Sequence, residues 1–154
     1  MPLASHDDTT EDHVAEAVRE GVSVAAFPTT MEAAYGLHEA GVQILMGAPN
    51  VVRGGSHAGN IAAVDLARAG MLDILSSDYV PSSLLMGALQ LADRVSSIDL
   101  AAAVRTVTCN PADAVGLNDR GSLAVGLRGD LIRVHMADNL PVVRSIWREG
   151  RRVA

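Results

Sequence analysis

From residue 2 to about residue 94 the chain repeats one unit. A short apolar run ends in polar residues, and a helix-forming stretch follows, in most cases closed by a glycine. The runs VSVAAF (22–27), VQILMGA (42–48) and MLDILSSD (71–78) are short, with apolar residues through their centres and polar ones at the end of the last. They read as buried strands, and the PLAS run before His6 as another. Between them TEDHVAEAVRE (10–20) has Thr10 as a plausible N-cap, acids in its first turn and Gly21 as a stop. MEAAYGLHEA (31–40) stops at Gly41 and IAAVDLARA (61–69) at Gly70. Further helices are expected near 82–94 and 98–108, with a short one after Asn110-Pro111. Residues 49–60, PNVVRGGSHAGN, read as a long loop. Strands joined through helices must run parallel, so the expected class is α/β, as an open sheet or part of a barrel.

From about residue 119 the pattern changes. Residues 119–123, 126–134 and 141–148 read as short strands joined by turns, with a terminal hairpin turning at Glu149-Gly150. The expected division is 1–118 for the α/β part and 119–154 for a β-rich tail too small to stand alone.

Composition narrows the partners. Aromatic residues are 3% of a chain that is 49% hydrophobic, so aliphatic side chains and alanine must fill the core. The net charge is −6, all 12 basic residues are arginine, and lysine is absent. That argues against nucleic acid, whose footprints are basic. No apolar run reaches membrane-span length, and no basic segment followed by an apolar core marks a secretory leader. The single Cys109 cannot form an internal disulfide and reads as a small apolar residue, which suits a reducing cytoplasm.

Polar residues gather where the strands end: His6-Asp7-Asp8, Pro28-Thr29-Thr30, Gly47 to Asn50, and Ser76-Ser77-Asp78. In parallel α/β folds those ends share the face that carries chemistry. Histidine and aspartate from separate strands suit a divalent metal, and a hydrolytic site holds its metal by three protein ligands plus water. Asp7 or Asp8 could instead cap the first helix, and Asp78 could bond amides in its own turn. The loop Arg53-Gly54-Gly55-Ser56-His57 suits an anion, because glycines let backbone amides approach and arginine offers two parallel donors. It is not a P-loop, which needs a lysine.

Four stretches carry a family resemblance: LASHDDTT, FPTTMEAA, LMGAPNVVRGGSHAGN and MLDILSSDYVPSSLL. They resemble the C-terminal part of the triphosphate diphosphatases of phosphonate breakdown, in the C–P lyase pathway, within the amidohydrolase superfamily. TCNPADAVGL and DRGSLAVGLRGDLIRV are similar to that superfamily's closing helix and final strands. The resemblance implies the second half of a (β/α)8 TIM barrel, about four βα units, followed by part of a small β-sandwich. By it, His6 ends strand 5 as a metal ligand. Asp78 ends strand 8 as a metal ligand and the acceptor of a proton from the attacking water. Asn50, Arg53, Gly54, Gly55, Ser56 and His57 follow strand 7 within reach of substrate. The implied cofactor is a divalent metal, zinc first, with manganese or magnesium as alternatives. The implied substrate is a small phosphorylated sugar, ribose 1-methylphosphonate 5-triphosphate, cut to the 5-phosphate and pyrophosphate.

Two departures stand out. The family carries glutamate where this chain has Ala26, and without lysine no carbamylated-lysine ligand can form. A whole barrel takes about 250 residues, so this chain is expected to need an N-terminal half or a second copy of itself. Hydrolysis of a C–N bond on the same scaffold, or a truncated chain without activity, are the alternatives.

Overall fold

The computed structural model describes residues 2–56 and 59–154. Strand β1 (Ala4–His6), helix α1 (Glu11–Glu20), β2 (Val24–Ala26), α2 (Met31–Glu39) and β3 (Gln43–Gly47) follow in chain order. Then come α3 (Ala48–Arg53), α4 (Ala63–Arg68), β4 (Ile74–Ser76), α5 (Ser83–Arg94), α6 (Leu100–Arg105) and α7 (Cys109–Ala114). The four strands form one parallel sheet in the order β1-β2-β3-β4. His6 lies beside Ala26, Ala26 beside Leu45, and Gly47 beside Ser76, so the C-terminal ends form one rim.

The expected stops and starts hold for the first helices. The Thr10 hydroxyl accepts the His13 amide, the Thr30 hydroxyl accepts the Ala33 amide, and Gly21 closes α1 at φ 71°. The core is aliphatic, with Leu37, Ile44, Val51, Leu66 and Leu91 fully buried. Alanine does what the missing aromatics would otherwise do: Ala25, Ala33, Ala34, Ala48, Ala63, Ala88 and Ala103 are buried too, which lets backbones approach closely. One close approach is α5 on α3, where a methyl group on Gly87 would meet Ala48 Cβ at 2.9 Å. Cys109 is half-buried, and its thiol donates to the Asp113 carboxylate at 3.1 Å. Among the described residues no helix is long and apolar enough to cross a membrane.

Two expectations are corrected. Residues 49–60 do not form a loop throughout, because α3 starts directly after β3 with Pro49 in its first turn, where a missing amide costs nothing. Residues 119–123 and 126–130 are not strands. Gly121 (φ 93°) brings the chain so close to α7 that an added Cβ would lie 2.8 Å from Cys109 Cα, and Gly126 (φ 92°) turns it again. The second sheet is antiparallel and starts only at β5 (Leu131–Ala137), with β6 (Leu140–Arg148) and β7 (Arg151–Arg152). Its turns, Asp138-Asn139 and the expected Glu149-Gly150, both have two residues at positive φ, as tight hairpins of the favoured hand require.

An ionic knot closes the second turn. The Asp130 carboxylate accepts the Glu149 amide at 2.7 Å and meets Arg128 Nε at 2.6 Å, while Arg128 also donates to Glu149 at 2.8 Å. The Glu149 amide is the main cause holding the Asp130 carboxyl below its ordinary value, and the Arg120 side chain does the same for Asp119. A lowered carboxyl stabilises the folded form above the unfolded-state value and stops doing so as pH falls through the folded one. The emission of Trp147, the sole tryptophan, should therefore be flat at neutral pH and change below about pH 4. Asp130→Asn should shrink that acid limb; an unchanged limb would remove Asp130 from its cause.

Candidate active site

The rim of strand ends opens into a cavity of about 340 Å3. It is lined by His6 at the end of β1 and by Asp7, Phe27 and Asp78 just past β1, β2 and β4. Asn50 and Arg53 of α3 line it too, with Gly55, Ser56, Asn60 and Tyr79.

Three non-glycine residues just past the strands have positive φ: Asp7 (60°), Phe27 (59°) and Asp78 (49°). Aspartate tolerates this conformation, whereas a bulky aromatic rarely adopts it. The sheet hydrogen bonding explains how it is held. Asp7 donates its amide to Ala26 O at 3.0 Å and Phe27 to Leu45 O at 2.9 Å, so each ladder runs one residue past its strand before the chain turns. His6 and Phe27 are thereby brought together, ring centroids 5.1 Å apart. Gly47 makes room for Asp78: a Cβ there would lie 2.8 Å from Asp78 Oδ2 and 3.3 Å from Phe27.

The other polar residues of the rim hold the loops. Thr29 donates its hydroxyl to Thr9 at 2.8 Å and Thr30 to the Thr9 carbonyl at 2.9 Å, stitching the turn before α1 to the turn before α2. Asp8 does not cap α1; Thr10 does. Asp8 is buried and accepts the Ser5 hydroxyl at 2.5 Å.

Helix α3 places Asn50 and Arg53 one turn apart, on one face. Its last turn is held from α5, where Arg94 donates to Val51 O at 2.5 Å, a cation at the negative end of a helix. Asn50 spends its amide inside the chain, accepting the Ala63 amide at 2.9 Å and donating to Ile61 O at 3.4 Å. It thus ties the far end of the glycine loop to α3. Gly54 is the C-cap of α3 at φ 85° and does not line the cavity, whereas Gly55 and Ser56 do. His57 lies outside the described residues. Arg53 donates to the Tyr79 hydroxyl at 3.1 Å. Sequence reasoning missed Tyr79 and Phe27. The sequence Tyr79-Val80-Pro81 reads as a turn, and the place of Tyr79 directly after Asp78 is the signal that points to the site.

For a divalent metal the chain offers an incomplete donor set. Asp78 has no hydrogen-bond or ion-pair partner among the described residues. The His6 Nδ1 lies 3.0 Å from Asp7 Oδ2, which leaves its Nε2 for a ligand and fixes the tautomer as partners of ligating histidines do. Two donors fall short of the three that a hydrolytic zinc site uses. No three His, Cys, Asp or Glu side chains gather as a metal-holding group among the described residues.

Comparison with known proteins gives the family and the fold. The amidohydrolase family model matches residues 3–154. The chain is 53% identical over 154 residues to the alpha-D-ribose 1-methylphosphonate 5-triphosphate diphosphatase of Escherichia coli (strain K12), covering 99% of this chain and 41% of that protein. It is 36% identical over 112 residues to an adenine deaminase of Methanothermobacter thermautotrophicus, covering 71% of this chain and 20% of that protein. The chain thus spans about two fifths of the length of the E. coli relative. Among solved structures, an amidohydrolase matches with a TM-score of 0.71 at 17% identity, over 99% of this chain and 44% of that one. An A. niger ochratoxinase matches with a TM-score of 0.66 at 18% identity, over 98% of this chain and 41% of that one. Members of the superfamily are generally metal-dependent. On the family match and on the relative that shares more than half its residues, the chain belongs to the amidohydrolase family.

Proposed function

We propose that this chain forms the catalytic second half of a triphosphate diphosphatase of phosphonate metabolism, contributing strands 5 to 8 of a (β/α)8 barrel. The observation that carries this reading is the 53% identity along the whole chain to the E. coli diphosphatase. The cavity supports it with two kinds of charged group in its lining. The carboxylates Asp7 and Asp78 are there with His6, and so is Arg53, which no carboxylate neutralises among the described residues. An amide substrate does not call for a fixed cation there; a triphosphate does.

In this reading Arg53 and the backbone around Gly55 hold phosphate oxygens, with Ser56 and Asn50 alongside. Water attacks a phosphorus of the triphosphate, the anhydride P–O bond breaks, and pyrophosphate leaves. Asp78 accepts the proton of the water, and Arg53 faces the charge that develops on the phosphoryl oxygens. His6 and Asp78 would hold a divalent metal together with donors from further polypeptide, and that ion would supply Lewis acidity. Residues 119–154 would belong to a small β-sandwich. An apolar groove lined by Leu100, Leu123, Ile132, Ile146 and Trp147 supports completion by an N-terminal half or a second copy.

The test joins this chain to a polypeptide carrying strands 1 to 4 of the family. Pyrophosphate release from ribose 1-methylphosphonate 5-triphosphate is then measured with zinc, manganese or magnesium. Turnover is expected in the purified, folded complex, and none in a folded complex would overturn the reading.

A further inference from the structure

Asp78 and Tyr79 enter the lining of the cavity as one dipeptide. Asp78 turns at φ 49° with its carboxylate against Gly47, and the next residue, Tyr79, reaches across to Arg53. The Arg53 side chain is exposed at the end of α3, where a long flexible cation would ordinarily sample many rotamers. Its recorded partner is a neutral phenol oxygen, so the bond orients the guanidinium without cancelling its charge. Contrast Arg19, Arg68, Arg120 and Arg128, each paired with a carboxylate. A carboxylate at position 79 would fix Arg53 as well but would spend the charge that an anion needs.

We infer that Tyr79 is a positioning residue for polyphosphate recognition: its hydroxyl holds the Arg53 guanidinium at the cavity, one residue along the chain from Asp78. This rests on the assignment of Arg53 to phosphate. The ligand class is a chain of phosphoryl groups. One fixed cation gains most where a linear anion must be laid in a single direction across the site, with its reacting phosphorus toward Asp78.

The experiment is a double-mutant cycle with inorganic triphosphate as probe, read as the dissociation constant by calorimetry on this chain. Wild type, Tyr79→Phe, Arg53→Ala and the double variant are compared, with thermal melts confirming that each is folded. Tyr79→Phe should weaken binding about 3- to 10-fold, the worth of one ordinary hydrogen bond, because the bond is exposed and acts on the ligand only through Arg53. In the Arg53→Ala background the same change should do nothing further. An equal loss in both backgrounds, or none in the first, would overturn the role of Tyr79 while leaving Arg53 as the phosphate ligand. Wild type that fails to bind triphosphate, or Arg53→Ala that binds as well as wild type, would remove the phosphate assignment and the inference with it.

Discussion

Replacing Asp78 with asparagine should lower pyrophosphate release by the completed enzyme about 100- to 10,000-fold, the usual share of a positioned general base. The substitution isolates the carboxylate. Asparagine tolerates positive φ as aspartate does, so the turn at 49° survives. It has nearly the same shape, so the close fit to Gly47 survives too. What is lost is the charge, and with it both the ability to accept a proton and the carboxylate's hold on a divalent metal, so the assay is run at saturating metal. The measurement is kcat of the variant beside a thermal melt. Unchanged melting with most of the activity gone is the expected pattern. Activity above about a tenth of wild type would mean that another group takes the proton.

The second large effect concerns stability. Gly36 and Gly87 both lie inside helices, where alanine is worth roughly 0.8–1.0 kcal/mol more than glycine. Their surroundings differ. A methyl at position 36 would meet Val14 Cγ1 at 3.1 Å, the tip of a side chain on a half-exposed helix that can give way. A methyl at position 87 would meet Ala48 at 2.9 Å from Cβ, 3.2 Å from Cα and 3.3 Å from the carbonyl oxygen. Backbone cannot rotate aside, so α5 must lift off α3. Such overpacking costs about 1–3 kcal/mol, which outweighs the helix-propensity gain. Gly87→Ala should therefore lower the melting temperature, while Gly36→Ala should leave it near or above wild type. Because α3 carries Asn50 and Arg53, Gly87→Ala should also weaken triphosphate binding. A Gly87→Ala variant as stable as wild type would show that the α3–α5 contact is looser than a 2.9 Å approach to Ala48 requires.

Much of this arrangement was legible in the residues, for identifiable reasons. Thr10, Thr30 and Gly21 are end signals whose chemistry acts locally, so they were readable without tertiary knowledge. The buried runs around Ala25, Ile44 and Leu75 were readable because a parallel strand buries both faces. Helix α3 was not. Its sequence, APNVVR, combines proline, asparagine and two β-branched residues, and none favours a helix interior. What makes it helical is external: the Gly87 contact, Arg94 at its C-terminus and the bonds from Asn50 to residues 61 and 63. The roles of Thr29 and Asp8 were hidden for the same reason, since Thr9 and Ser5 engage them only once the strands align. The rim itself was legible; which rim residues face the cavity and which hold loops was not.

The sheet order β1-β2-β3-β4 has a consequence for how such a chain comes into being. Among these four strands each after the first pairs with the one made just before it, across a single helical crossover. The entropy of closing a loop grows only slowly with its length, so each such step costs about the same. A growing chain can add one strand and its helix at a time, each new unit covering the apolar edge left by the last. Assembly is then directional during synthesis, and the place where a half-made sheet is most exposed to wrong pairing moves along with the ribosome.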